Sequence, residues 1–121
     1  MVILGGGFAG LYAAKALGSA PVSVTLVDRR NHHLFQPMLY QVATAALSPG
    51  DIASPIRSIL RGQPNTQVIL GEARSVDCAS KRVLVDRSSM DYDYLIIATG
   101  ARHSYFGHAD WEEFALSLIH I

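Results

Sequence analysis

Gly5-Gly6-Gly7-Phe8-Ala9-Gly10 is the stretch on which the reading of this chain turns. It follows an apolar run, Met1-Val2-Ile3-Leu4, and opens an Ala- and Leu-rich segment from Phe8 to Leu17. The run reads as a short buried strand, and Leu11, Ala14 and Leu17 are spaced for one helix face. Gly18 supplies a helix stop, with Pro21 just beyond it. Val22 to Val27 predicts a second strand that closes at Asp28. The first 28 residues therefore form a β-α-β unit, whose strands pair in parallel across a right-handed crossover.

A G-x-G-x-x-G between strand and helix puts each glycine under its own physical demand. Gly5 permits a tight turn, Gly7 lets the backbone approach a pyrophosphate, and Gly10 lets helix and strand pack closely. The phosphates would sit at the helix N-terminus, at the positive end of its dipole. Asp28 ends the second strand eighteen residues past the last glycine, where a carboxylate accepts from a ribose diol and repels a 2′-phosphate. Arg29 and Arg30 temper that repulsion, as phosphate partners or as a solvated loop. A glycine-rich turn without a ligand is the competing reading, and the agreement of strand, glycines and carboxylate weighs against it. The pattern implies an adenine dinucleotide and leaves NAD(P) and FAD open.

The 121 residues are 50% apolar and 17% charged, with ten basic residues against ten acidic. That is one domain or part of one, with enough apolar material for a core, so disordered and low-complexity classes are excluded. Zero net charge offers no electrostatic case for nucleic acid or an anionic membrane. The single cysteine, Cys78, excludes an internal disulfide framework, a cysteine-based zinc site and a dithiol redox centre. No apolar stretch approaches the about 18–20 residues of a spanning helix, and no basic segment precedes an apolar one as in a signal peptide. A reducing, cytoplasmic compartment is the expectation. The abrupt start into the glycines, and the uncapped apolar end from Leu116 to Ile121, raise the expectation of a fragment.

Beyond Asp28, a loop runs to Pro49 and contains the Ala-rich run Val42–Leu47, which predicts a helix. Ser54-Pro55 ahead of Ile56, Ile59 and Leu60 predicts a capped helix with proline at its first position. Thr66–Leu70 predicts a third strand, the pieces Ala73–Val76 and Arg82–Val85 a meander, and Tyr92–Ala98, started by Asp91, a last strand ending at Thr99-Gly100. Tyr12 and Lys15 lie inside the first helix, without the spacing of a catalytic pair. The adjacent His32 and His33 point different ways in any regular structure and lack a third ligand, so a metal is not expected and ligand-loop or surface histidines are. His103 and His108 likewise lack partners. Tyr40 and Gln41 suit either a cofactor or quinone neighbourhood or plain helix packing, and Trp111 with Glu112-Glu113 reads as a surface helix start.

Four segments together resemble a known family: Gly5–Gly10, Asp28-Arg29-Arg30-Asn31-His32-His33, Phe35-Gln36-Pro37-Met38-Leu39-Tyr40-Gln41-Val42-Ala43, and Asp93–Gly100. They look like the N-terminal FAD half of type II NADH dehydrogenases. These are single-subunit NADH:quinone oxidoreductases among the pyridine nucleotide-disulphide oxidoreductase-like flavoproteins. Phe35–Ala43 is the most specific of the four. The resemblance implies an α/β, Rossmann-like FAD/NAD(P)-binding domain with a parallel sheet and an antiparallel β-meander, incomplete in this chain.

Carried over to these residues, the resemblance implies that Gly5, Gly6, Gly7, Phe8, Ala9 and Gly10 line the FAD pyrophosphate. It implies that Asp28 holds the adenosine ribose with Arg29 beside it, that Pro37 passes near the flavin and that Ala73 reaches the adenine. Thr99 and Gly100 close the pocket. The flavin would do the redox chemistry while the protein binds and tunes it. NADH and quinone are the implied substrates of the full-length enzyme, with peripheral association at the cytoplasmic face of the inner membrane and room for a homodimer. The lone cysteine argues against the disulfide-reductase and sulfide-oxidising relatives. The resemblance runs over residues 1–114 as a partial FAD-binding domain, and 115–121 reads as a non-native tail. A second glycine fingerprint for NADH, and a returning segment that closes the FAD domain, are absent from these residues. The isolated chain is expected to lack NADH:quinone activity and to hold FAD weakly or not at all. A different FAD-dependent pyridine-nucleotide oxidoreductase, or a non-catalytic dinucleotide-binding module, remains as the alternative.

Overall fold

The computed structural model describes residues 1–101 and 104–114; the expectations for His103 and the 115–121 tail lie outside them. Four strands form a parallel sheet: β1 (Val2–Leu4), β2 (Val24–Asp28), β5 (Thr66–Leu70) and β9 (Leu95–Ile97), in the order β5-β2-β1-β9. Taken in chain order, these are the third, second, first and fourth parallel strands. The chain thus builds outward from β1 on one side, then crosses to its other side. Between these strands lie α1 (Phe8–Ala16), the ribbon strands β3 (His32–Leu34) and β4 (Ala53–Pro55), and the short helices α2 (Leu39–Ala43) and α3 (Ile56–Ile59). The meander strands are β6 (Ala73–Asp77), β7 (Arg82–Val85) and β8 (Ser88–Asp91).

Both faces of the sheet are buried, which is why β1 and β2 read as unbroken apolar runs rather than alternating ones. On one face Ile3, Val24 and Leu26 pack with Leu11 and Ala14 of α1 and with Ile56 and Leu60. On the other, Val2, Leu4 and Val27 pack with Val83 and Val85 of the meander. Each such Val, Leu or Ile side chain fully removed from water contributes roughly 1.5–3 kcal/mol. The one polar side chain in the buried run of β2, Thr25, is satisfied by the Gln67 amide, which donates to its Oγ1 at 2.8 Å.

The described chain divides into two units, Met1–His33 with Ser54–Gly100, and Leu34–Ala53 with the residues from Ala101 onward. The first holds the parallel sheet and the meander. The second contains α2 and three 3-10 turns, at Gln36–Met38, Pro49–Asp51 and Ala109–Glu113.

Several local expectations change. The Ala-rich run is not the helix: α2 starts earlier and ends at Ala43. Ala45 takes a left-handed φ of 57°, and the N–H groups of Ala45 and Ala46 turn back to Val42 and Gln41 carbonyls. That pair of bonds closes a helix, and it overrides alanine's helical preference. Ser54 caps nothing, because β4 holds it and Pro55 extended, and the Ile56 N–H finds the Asn31 carbonyl at 3.1 Å instead. The last apolar segment is a strand only in part. Asp91 closes β8, tied to Arg82 at 2.7 Å, and only Leu95–Ile97 joins the parallel sheet. β8 itself went unpredicted because its hairpin turns on Asp86 at φ 52° without the usual Asn-Gly or Asp-Gly signature.

Candidate dinucleotide-binding site

The site is assembled where the strand order reverses, at the carboxyl ends of β1 and β9, the place at which open parallel sheets bind ligands. Two loops meet there. The Gly5 N–H donates to the Val27 carbonyl at 2.8 Å, and the Ala98 N–H donates to the Leu4 carbonyl at 2.8 Å, so both loops are anchored to neighbouring strands. Gly5 lies at φ 103°, and a side chain there would run into the Ala98 carbonyl. Glycine is required twice over, by conformation and by the approach of Ala98-Thr99. Gly100, at φ 74°, takes a left-handed conformation that glycine adopts without steric cost.

Gly7, Gly6 and Gly10 differ sharply in surroundings. Gly7 is the exposed N-cap of α1, and a Cβ added to it meets nothing within 4 Å. Gly10 is buried, and a Cβ there would fall on the Gly5 carbonyl oxygen. Gly6 is buried between Ile56 and Asp28. The first helical bond runs from Leu11 N–H to Gly7 O at 2.9 Å, so the amides ahead of it form the positive end of the helix. No acidic side chain occupies that first turn. Open space over Gly7 in front of this helix end fits the pyrophosphate of an adenine dinucleotide.

Asp28 stands at the end of β2, beside the loop. Its Oδ2 accepts from the Gly6 N–H at 2.5 Å and its Oδ1 from the Arg30 N–H at 2.6 Å. Each carboxylate oxygen has a further lone pair, so a ribose diol remains within its capacity. The Arg29 side chain is exposed beside it. The Asp28 carbonyl accepts from the Gly71 N–H at 2.9 Å, which brings Ala73, at the start of β6, to the same end of the sheet. Ala73 packs its side chain against the meander-side core. Of the predicted residues, Gly5–Gly10, Asp28, Arg29, Ala73, Thr99 and Gly100 all belong to the first unit. Pro37 does not: it stands exposed in the 3-10 turn Gln36–Met38 of the second.

His33 is a residue that sequence reasoning undervalued. It is buried, its Nδ1 lies 3.1 Å from the Gly6 carbonyl oxygen, and its ring meets Phe8 edge-on at 4.9 Å. Its neighbour His32 is half-buried, with Nδ1 at 3.3 Å from Asn31 Oδ1. Strand alternation sends the two rings to opposite sides, and membership of β3 was the missing information. Among the described residues no three His, Cys, Asp or Glu side chains converge as a metal site, and no helix is long and apolar enough to cross a membrane.

Residues 1–119 match the family model described as pyridine nucleotide-disulphide oxidoreductase. The chain is 50% identical over 119 residues to the type II NADH:quinone oxidoreductase NdhA of Mycobacterium tuberculosis, an overlap of 95% of this chain and 25% of that protein. The structure of NDH2 from Plasmodium falciparum in complex with NADH is similar with a TM-score of 0.81 at 28% identity, over 88% of this chain and 23% of that one. The sulfide:quinone oxidoreductase from Aquifex aeolicus is similar with a TM-score of 0.78 at 29% identity, over 86% and 25%. The backbone is thus shared with an enzyme of the kind that the cysteine count argues against. The chain spans about a quarter of the length of the curated relative it matches. With its glycine loop at the switch point and a family match over nearly its whole length, the chain belongs to the pyridine nucleotide-disulphide oxidoreductase family.

Proposed function

We propose that this chain is the FAD-binding N-terminal part of a type II NADH:quinone oxidoreductase. The observation that carries the reading is the meeting of the Gly5–Gly10 loop with Ala98–Gly100 at the switch point, with Asp28 at the loop's flank. The α1 N-terminus and the open face of Gly7 would hold the pyrophosphate, and Asp28 the adenosine ribose. Ala73 would border the adenine through its backbone, since its side chain packs inward. Thr99 and Gly100 would close the near wall, and the resemblance assigns Pro37 to the flavin. FAD, when bound, supplies two-electron transfer between a nicotinamide and a quinone. The residues of this chain contribute orientation: the helix dipole fixes the phosphates, and the Asp28 charge favours an unphosphorylated ribose.

NADH and quinone are proposed as substrates of the longer protein, in line with the name of the mycobacterial relative. Peripheral attachment at the cytoplasmic face of the inner membrane, and homodimer formation, are proposed for that longer protein. The test is the intact flavoprotein that carries this segment. It should oxidise NADH with a quinone as acceptor, and Gly7→Ala should deplete its flavin absorbance. A holoprotein that keeps FAD yet passes no electrons from NADH to quinone overturns the reading.

A further inference from the structure

The two backbone polar groups of Gly6 are held by side chains that come from different strands. Its N–H donates to Asp28 Oδ2 from the end of β2, and its carbonyl oxygen lies 3.1 Å from His33 Nδ1 on β3. The carbonyl is an acceptor only, so the contact is a hydrogen bond when His33 carries its proton on Nδ1. The same ring meets Phe8, the first residue of α1, edge-on. His33 thus touches the middle of the glycine loop and the start of the helix at once.

We infer that His33 is a positioning residue: its Nδ1–H fixes the Gly6 peptide, and with it the angle between the glycine loop and the α1 N-terminus that a dinucleotide pyrophosphate meets. The inference rests on the dinucleotide-binding reading above. A histidine that merely filled space would be indifferent to which ring nitrogen carries the proton. This one is not, because the Nε2–H tautomer leaves the buried Gly6 carbonyl facing a lone pair. Asp28 acts from the opposite side of the same peptide, so the loop is clamped rather than simply packed. Burying a carbonyl without its donor is costly, whereas an exposed loop amide would turn to water.

Asparagine places an amide donor at the position of Nδ1, and phenylalanine keeps the ring without a donor. The expected result has three parts, read in the intact flavoprotein that carries this segment. Long-range proton–nitrogen correlation shows His33 protonated on Nδ1. Amide exchange in Gly5–Gly10 is unchanged in His33→Asn and rises about tenfold in His33→Phe, while β1 and β2 amides stay protected in both. FAD titration by flavin fluorescence gives an affinity for His33→Asn near that of the unsubstituted chain, and one about tenfold weaker for His33→Phe. An Nε2–H tautomer, or equal exchange in the two variants, overturns the inference. If the unsubstituted intact flavoprotein binds no FAD, the dinucleotide reading fails, and ring protonation and loop exchange still decide for or against the clamp.

Discussion

Gly6 and Asp28, 22 residues apart in the chain, are joined by a 2.5 Å hydrogen bond from the glycine N–H to the carboxylate Oδ2. The residue that reads as the ribose acceptor is therefore also a strut of the glycine loop. A side chain at position 6 would have to displace the Cδ1 end of Ile56 and would lie 3.4 Å from Asp28.

Asp28→Ala should accordingly have two effects rather than one. It removes the acceptor for Gly6 and Arg30 N–H, costing roughly 1–3 kcal/mol of stability, and it weakens dinucleotide binding. Urea denaturation and FAD titration of the same variant measure the two separately. Unchanged stability would mean that the carboxylate is not a strut.

Gly7→Ala and Gly10→Ala should fail in opposite ways. At position 7 the methyl group enters open space, so stability changes by no more than about 1 kcal/mol while dinucleotide affinity falls. At position 10 it strikes the Gly5 carbonyl, and overpacking costs about 1–3 kcal/mol or more even without ligand. Thermal melts with and without FAD distinguish them, and equal melting temperatures for the two variants would contradict this assignment.

Ala45 occupies a left-handed position where glycine is the usual residue. Ala45→Gly should stabilise the second unit by up to roughly 1 kcal/mol, since relief of the steric strain exceeds glycine's added chain entropy. A higher urea midpoint is the expected observation, and a lower one would show that the α2 terminus is built differently.

Acid sensitivity has a local source in Asp77, whose carboxyl is held below its ordinary 3.8 by the Ser80 hydroxyl, then by the Ser80 and Ala79 amides. A depressed folded value adds stability above the unfolded value, and that stability is lost as pH falls through the folded one. The group is exposed, so the effect is small and screened. Asp77→Asn should be less stable than the unsubstituted chain at pH 7, with the gap closing below about pH 4. Urea midpoints at pH 7 and pH 3 check this; a gap that widens in acid would reverse the sign.

The β-α-β start, the glycine loop and Asp28 were legible because each obeys a local rule. An apolar run, a glycine spacing and an acidic strand end all lie within 28 consecutive residues. The last strand was only half legible. Tyr92 to Ala98 is continuously apolar or aromatic apart from Asp93, and nothing local says that the Tyr92 N–H bonds to Lys81 of the meander while Leu95 joins β1. The α2 boundary was misread for a related reason: alanine's helical preference is weak beside two returning hydrogen bonds.

By itself, then, the sequence determined the fold class, the glycine loop and the family, since these depend on residue types at short fixed spacings. Only the tertiary structure decided that Gly6 is gripped from two sides, that His33 lies buried beneath the loop, and that Ala98-Thr99 presses on Gly5. Those contacts join residues more than twenty positions apart, and packing, not spacing, brings them together.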